Sequence, residues 1–411
     1  MKHAAIRIDH QSQIKPLLAK LLQGKANPIL EIPDNTKGAV FSSNELEKYI
    51  DEEERHGIRL LTKHKEQSLK SMSSGEQKKA LLTYLLQQNP SFLVLINPYD
   101  NLDQQSQNKL EQMLLELSNK FLLVQFLSRT KDILPFTKRF FYLKTNELVP
   151  LDTSKDFHSK RKSLNVSFRG EIPKPLDAIS LEMDTLVEFN AVSVSFDNRP
   201  VLVNINWTIK KGEFWQLTGP NGSGKSTLLN MIVGDSHKGY GQDLTLFGMK
   251  KGSGESVWDI KYYIGYFTPA MLISFKGYDT LKNMLMAALH DAIGLYVKPS
   301  ESEKNLALKW LALLGLDHKK EVQFRQISEG EKRLVMTARA MIKHPPLLIL
   351  DEPTIGLDDL NAAKFVALVN KMAKETGSTI IYVSHRNEQG LLPKSIYELT
   401  PAPNGATGKI K

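Results

Sequence analysis

The sequence predicts an α/β fold, a parallel sheet flanked by helices, present once in full and once as a reduced copy. Three observations carry this expectation. The first is an apolar strand, Phe214-Trp215-Gln216-Leu217, running into a glycine-rich loop and then a helix that begins near Leu228. The second is the apolar run Leu347-Leu348-Ile349-Leu350, which ends on Asp351-Glu352. The third is a spacing that occurs twice along the chain.

The glycine-rich loop reads Gly219-Pro220-Asn221-Gly222-Ser223-Gly224-Lys225-Ser226-Thr227 and fits G-x-x-x-x-G-K-[ST], a phosphate-binding loop. Glycines let the backbone curl with its N–H groups turned inward, and the following helix N-terminus adds partial positive charge. Lys225 is expected to reach the β- and γ-phosphates of a nucleotide, and Ser226 to ligate Mg²⁺. The plain alternative is a turn that binds nothing. The strand before the loop and the helix after it, with Lys-Ser between them, argue against that.

The run into Asp351-Glu352 has a similar logic. A buried parallel strand delivers carboxylates at its C-terminal end, where open α/β sheets bind ligands. Asp351 is suited to Mg²⁺, and Glu352 to orienting or deprotonating an attacking water.

The chain has 411 residues, which suggests two domains at roughly 150 residues each. No apolar run approaches the ~20 residues of a membrane-spanning helix. Met1-Lys2-His3-Ala4-Ala5-Ile6-Arg7 has no apolar signal core, so a cytoplasmic location is expected. The absence of cysteine excludes disulfides and thiolate-held zinc or iron–sulfur sites. A net charge of +9 suits attraction to nucleic acid or anionic lipid, and equally suits an ordinary basic protein.

In chain order, residues 1–70 show no phosphate loop. Met72-Ser73-Ser74-Gly75-Glu76 opens a helix that runs to Gln88, with Ser73 and Glu76 spaced as a capping box. A strand at 92–96, a helix over 104–118 and a strand at 121–127 follow. Residues 144–184 read as a basic tether carrying Lys155, Lys160, Arg161, Lys162 and Arg169, with Pro173 and Pro175. Strands are expected at 186–189 and 192–196, the second with Val192, Val194 and Phe196 on one face. After the phosphate loop come a strand at Tyr266-Phe267, helices over 278–316, and a helix headed by Ser328-Glu329-Gly330-Glu331. Tyr382-Val383-Ser384-His385 ends a further strand.

The repeated spacing links the halves. Ser328 to Asp351 is 351 − 328 = 23 residues, and Ser73 to Ile96 is 96 − 73 = 23. Each run continues with proline and then Leu-Asp, at Pro353 and Leu357-Asp358 or at Pro98 and Leu102-Asp103. The N-terminal copy is damaged: Ile96 stands for Asp351, Asn97 for Glu352, and Arg129, allowing one residue of drift, for His385. Lys225 lies 328 − 225 = 103 residues before Ser328, whereas only 72 residues precede Ser73, so no room for a phosphate loop is expected there. The expected division is 1–143 for the damaged copy, 144–184 for the tether and 185–411 for the complete one.

Taken in order, these motifs resemble the ABC (ATP-binding cassette) ATPases, phosphate-loop NTPases of α/β fold. Closer similarity is to twin-cassette proteins of the ModF/PhrA type, associated with molybdate uptake. It is carried by Gly212-Glu213-Phe214-Trp215-Gln216, Asp243-Leu244-Thr245-Leu246-Phe247-Gly248, Gly252-Ser253-Gly254-Glu255 and Trp258-Asp259-Ile260-Lys261. The resemblance implies one complete cassette and one truncated, degenerate cassette. It implies ATP and Mg²⁺ as cofactors, Glu352 and His385 as catalytic residues, and Ser226 with Asp351 as metal ligands. Phe196 lies where the family stacks an aromatic ring on adenine; a core-facing strand residue is the alternative.

The family closes its ATP site with a signature Ser and Gly from a second cassette. Ser73 and Gly75 keep small residues there, while Glu329 replaces a signature glycine beside Ser328 and Gly330. Intramolecular pairing of the cassettes is therefore expected, in preference to a homodimer. The family's Mg²⁺-sensing glutamine would fall near Pro269 and is missing. The implied function is a soluble ATPase with one composite site, serving a molybdate-type transport system through a separate membrane permease chain. Such a protein would be cytoplasmic, peripheral at the inner face of the cell membrane. The alternative is a non-transport ABC ATPase acting on translation or nucleic-acid-associated machinery.

Overall fold

The computed structural model describes residues 2–25, 27–63, 67–159, 166–275, 278–385 and 388–411. The chain divides into two compact units. One comprises Met1–Asn165 with Ile355–Leu360; the other comprises Val166–Thr354 with Asn361–Lys411.

The first unit is built on a six-stranded sheet: β1 (Ala4–Arg7), β2 (Gly38–Phe41), β3 (Phe92–Ile96), β4 (Leu122–Leu127), β5 (Arg139–Lys144) and β6 (Glu147–Leu151). Their order across the sheet is β2-β3-β4-β1-β5-β6. All neighbours are parallel except the β5–β6 hairpin. The helices are α1 (Ile14–Leu22), α2 (Ser43–His56), α3 (Ser74–Gln87), α4 (Gln104–Ser118) and α5 (Ser154–Ser159). Their starts are chemically fixed. Ser42, Ser73 and Asp103 each accept a backbone N–H three residues on, which satisfies donors that the first helical turn leaves unpaired. Two apolar layers cover the faces of the sheet, one around Leu81, Leu82 and Leu93, the other around Ile6, Val94 and Phe126.

The tether expected over 144–184 is shorter than its composition suggests. The β5–β6 hairpin buries Phe141 and Leu143, and α5 buries Phe157. The Arg7 guanidinium donates to the Phe157 carbonyl at 2.9 Å. On the far side, the Ile172 N–H donates to Glu375 Oε2 at 3.0 Å, and His344 Nε2 lies 2.8 Å from the Pro173 carbonyl. Alternating apolar residues within the polar stretch supply these anchors. Lys160, Arg161 and Lys162 lie outside the described residues.

The second unit contains two sheets. Strands β7 (Thr185–Phe196), β8 (Arg199–Lys210), β10 (Leu244–Leu246) and β11 (Met249–Lys250) form an antiparallel sheet in the order β11-β10-β7-β8. Strands β9 (Phe214–Thr218), β12 (Ile264–Phe267), β13 (Leu347–Asp351), β14 (Thr379–Val383), β15 (Ser395–Thr400) and β16 (Thr407–Ile410) form the second, in the order β12-β13-β14-β9-β15-β16. The two strands expected near 190 are one strand, irregular where Ala191 takes a φ of 51°. Its alternation holds at buried Val192 and Val194. It fails at Phe196, which is 40% exposed at the strand end. Helices α6 (Lys225–Ile232), α7 (Val257–Lys261), α8 (Met271–Ser274), α9 (Leu281–Leu289), α10 (Glu301–Leu313), α11 (Glu329–Met341) and α12 (Asp359–Glu375) complete the unit. Trp207 stacks on Tyr397 at 4.4 Å within the core between the sheets.

The two six-stranded sheets have the same order, strand for strand, so β1 takes the place of β9. Six residues, 8–13, separate β1 from α1, and six, 219–224, separate β9 from α6. Space for a phosphate loop is therefore present in the first unit, contrary to the expectation from spacing. Ile14 stands where Lys225 stands, and Ser73 follows it by 73 − 14 = 59 residues instead of 103. The shortening falls elsewhere: among the described residues a single helix, α2, stands between β2 and α3 where α9 and α10 stand between β12 and α11, and the four-stranded sheet has no counterpart among those of the first unit.

Candidate functional site

The order β13-β14-β9 brings three C-terminal strand ends side by side. Asp351 pairs with Val383, and Val383 pairs with Leu217, one residue before Thr218 and the loop. The phosphate loop, both carboxylates and His385 are thus delivered by one edge of one sheet.

The loop is closely packed. Gly219 has a φ of 149°, and a side chain there would meet the Leu399 carbonyl at 2.8 Å. Gly224 has a φ of 90°, and a Cβ would lie 2.6 Å from Leu202. Glycine is required at both on grounds of backbone and space. Between them run Pro220, Asn221, Gly222 and Ser223. Lys225 opens α6 and is buried, with Nζ donating to the Gly219 carbonyl at 2.8 Å and the Pro220 carbonyl at 3.1 Å. These are neutral acceptors that a phosphate oxygen can outcompete, since charge-assisted hydrogen bonds are roughly twice as strong. Ser226 is exposed and Thr227 half-buried in the first turn of α6.

Glu352 takes a φ of 49°, in the left-handed region. Its N–H donates to the Val383 carbonyl at 3.0 Å, and its carboxylate lies 2.9 Å from His385 Nδ1. His385 Nε2 and Ser223 Oγ are buried with no hydrogen-bond partner among the described residues. Such atoms are costly unless a ligand satisfies them. Burial first, then the neighbouring Glu352 carboxylate, push the Asp351 carboxyl above its ordinary range; the Tyr266 hydroxyl and Lys225 pull it back.

No group of three or more His, Asp or Glu among the described residues could hold a metal unaided. Mg²⁺ takes one or two protein oxygens and draws the rest of its shell from phosphates and water. Ser226 and Asp351 supply hard oxygen donors of that kind. Bound there, the ion would neutralise phosphate charge.

The remaining expected residues are placed as follows. Phe196 is at the surface, with Lys238 Nζ 5.1 Å from its ring centroid, so the core-facing alternative does not hold. Ser73 belongs to the first unit, where its hydroxyl donates to Glu76 Oε2 at 2.7 Å in a complete capping box. Gly75 packs against Ser106, which a Cβ would approach to 2.8 Å. In the second unit Ser328 forms the same box with Glu331. Glu329 pairs with Lys332 at 2.6 Å, which reduces the negative charge it was expected to carry toward a nucleotide.

The first unit's copy differs by chemistry rather than by shape. Asn97 has a φ of 42°, and its N–H donates to the Phe126 carbonyl at 2.9 Å, as Glu352 does to Val383. This register makes Phe126 the counterpart of Val383, and hence Ser128, not Arg129, the counterpart of His385. Ser128 donates to Asn97 Oδ1 through N at 2.8 Å and Oγ at 3.1 Å. The one-residue drift assumed for Arg129 is unnecessary. Arg129 instead donates from Nε to the Leu357 carbonyl at 2.6 Å, within the same unit.

Sequence reading also passed over two buried cations. Lys78 donates to the Pro98 and Asp100 carbonyls at 2.7 and 2.6 Å, and Arg333 donates to the Pro353 carbonyl. A signal was present: each stands five residues after its signature serine, 78 − 73 and 333 − 328.

The ABC transporter family matches residues 202–355. The chain is 35% identical over 331 residues to the ABC transporter ATP-binding protein ModF of Escherichia coli K12, covering 78% of this chain and 67% of that one. The chain belongs to the family of ABC transporter ATP-binding proteins. An uncharacterised ABC transporter ATP-binding protein of Schizosaccharomyces pombe is 31% identical, with coverages of 82% and 69%. Among solved structures, the RNase-L Inhibitor matches 99% of this chain and 85% of its own at a TM-score of 0.60 and 18% identity. That likeness, at low identity, concerns the fold. As a member of the ABC family the protein binds and hydrolyses ATP. Among the described residues no helix is long and apolar enough to cross a membrane.

Proposed function

We propose that ATP is bound and hydrolysed at one site in this chain, that of the second unit. The observation that carries the reading is the convergence of the buried Lys225, Asp351 and the Glu352–His385 pair on adjacent strand ends, beside two polar atoms with no partner among the described residues. Residues 219–227 would cradle the phosphates, with Lys225 on the β- and γ-oxygens, and Phe196 would stack on adenine. Ser226 and Asp351 would hold Mg²⁺. Glu352 would accept a proton from the attacking water, with His385 orienting its carboxylate and presenting Nε2 to the γ-phosphate. Ser73 and Gly75 would complete the site as the signature residues of intramolecular pairing.

What supports a transport role is the identity to ModF, an ABC transporter ATP-binding protein. Molybdate as cargo rests on the resemblance to the ModF/PhrA type, and with it a permease in a separate chain and a cytoplasmic, membrane-peripheral location. Two experiments test the reading. Calorimetric titration with ATP in a Glu352→Gln background should give one nucleotide per chain; two would contradict a single site. Purification with and without ATP in that background should recover a membrane permease. Recovery of ribosomes or RNA instead would replace the transport role by the nucleic-acid-associated one.

A further inference from the structure

Tyr266 belongs to none of the motifs, yet it reaches the site. It stands on β12, the neighbour of β13, and its hydroxyl donates to Asp351 Oδ2 at 3.3 Å. We propose that Tyr266 is a positioning residue for Asp351. Its hydroxyl holds one carboxylate oxygen so that the other faces the metal, a task for which the loop after β12 offers no glutamine. The inference rests on the reading of Asp351 as a metal ligand.

Three observations converge on it. Asp351 is half-buried and directly followed by the Glu352 carboxylate, so its own carboxylate needs a nearby donor to be held in one orientation. Tyr266 is half-buried beside Asp351, and its hydroxyl carries a proton that it can donate to the carboxylate. The third comes from the first unit. Phe41 pairs with Leu95 as Phe267 pairs with Leu350, so Val40 is the counterpart of Tyr266 and Ile96 that of Asp351. Val40 and Ile96 line one cavity in that unit. Where the carboxylate has been lost, the hydroxyl has been lost with it.

The hydroxyl donates and is not itself a ligand, so it acts through Asp351. Support of this kind is worth about tenfold in metal affinity, the lower end of the effect of removing a ligand's hydrogen-bond partner.

The test is Tyr266→Phe in the full chain, which keeps the ring and removes one oxygen. Mn²⁺ serves as probe, its binding followed by electron paramagnetic resonance in the Glu352→Gln background with ADP present. The expected result is Mn²⁺ binding weakened about tenfold, with ADP affinity in EDTA unchanged. In the Glu352 background, half-saturating Mg²⁺ for ATP hydrolysis should rise by a similar factor, and kcat at saturating Mg²⁺ should recover. Unchanged Mn²⁺ affinity would overturn the proposal. So would a parallel loss of ADP affinity in EDTA, which would mark a general effect on the loop. Lys225→Ala in the same assay keeps the two readings apart. If it binds ADP like the parent, the site assignment itself fails; if it does not, a null result at Tyr266 counts against Tyr266 alone.

Discussion

The ends of β3 and β4 in the first unit and of β13 and β14 in the second are the same object with different chemistry. Each holds a residue in the left-handed backbone region after the strand, Asn97 at 42° and Glu352 at 49°. Each ties that residue to the neighbouring strand end, through Ser128 in one and His385 in the other. Asparagine tolerates this backbone because its short side chain bonds locally. Glutamate does not gain in that way, so Glu352 holds this backbone at some cost in strain. Backbone geometry at the strand ends is therefore alike with and without the carboxylates. It is held by the ladder and by the buried cations Lys78 and Arg333, which donate to the Pro98 and Pro353 carbonyls.

The widest break between the units should be chemical. Lys225→Ala is expected to abolish tight ATP binding, because the ammonium neutralises phosphate charge. Glu352→Gln should leave binding intact and lower kcat by about 10²- to 10⁴-fold. Phosphate release and equilibrium binding read the two separately. Asn97→Glu with Ser128→His, which installs the same pair in the first unit, should yield no second nucleotide in a titration, since residues 8–13 contain no glycine and Ile14 replaces the lysine. A second bound nucleotide would show that the loop is not the limiting loss.

A smaller effect separates the two signature glycines. A Cβ at Gly330 would lie 2.4 Å from Asn361, a branched amide at the start of α12, whereas one at Gly75 meets the Ser106 hydroxyl at 2.8 Å and its Cβ at 3.2 Å. Gly330→Ala should cost about 1–3 kcal/mol by overpacking. Gly75→Ala should cost less, because the serine hydroxyl can rotate away and only the milder 3.2 Å contact with its Cβ remains. Urea denaturation compares them. This also changes how charge insertions must be read, since Gly330→Asp would disturb packing before it disturbed a nucleotide. Ser73→Ala against Ser328→Ala is a fairer comparison, as both remove the hydroxyl of the same capping box. Intramolecular closure predicts the larger loss of turnover for Ser73→Ala.

The smallest difference concerns protons. Burial lowers the pKa of His3 in the first unit and of His344 in the second below the ordinary 6.5. His3 Nδ1 accepts the Leu123 N–H at 3.2 Å, which a protonated nitrogen cannot do. The folded chain thus binds fewer protons than the unfolded chain below pH 6.5, and stability should fall as pH drops through that value. The loss should level off below the depressed folded value. His3→Phe should flatten the acid limb of the first unit's unfolding curve, and His344→Phe that of the second. Equal slopes in parent and variant would remove that histidine from the account.

Much of the second unit could be read from sequence because its chemistry is local. A phosphate loop, a strand ending in two carboxylates and a capping box each occupy a few consecutive residues. Boundaries were less legible. The span 144–184 is polar on average, yet isolated residues such as Phe157 and Ile172 fix its ends to one unit or the other. Composition averages over a window, and burial acts on single side chains.

The sequence by itself determined the family and the existence of a damaged copy, since these depend on residue types at short, fixed spacing. Only the tertiary structure decided which residues correspond between the copies: Ser128 rather than Arg129 for His385, Ile14 for Lys225 and Val40 for Tyr266. Correspondence is set by strand register, a relation between segments far apart in the chain, and a shift of one residue sends a side chain to the opposite face of the sheet.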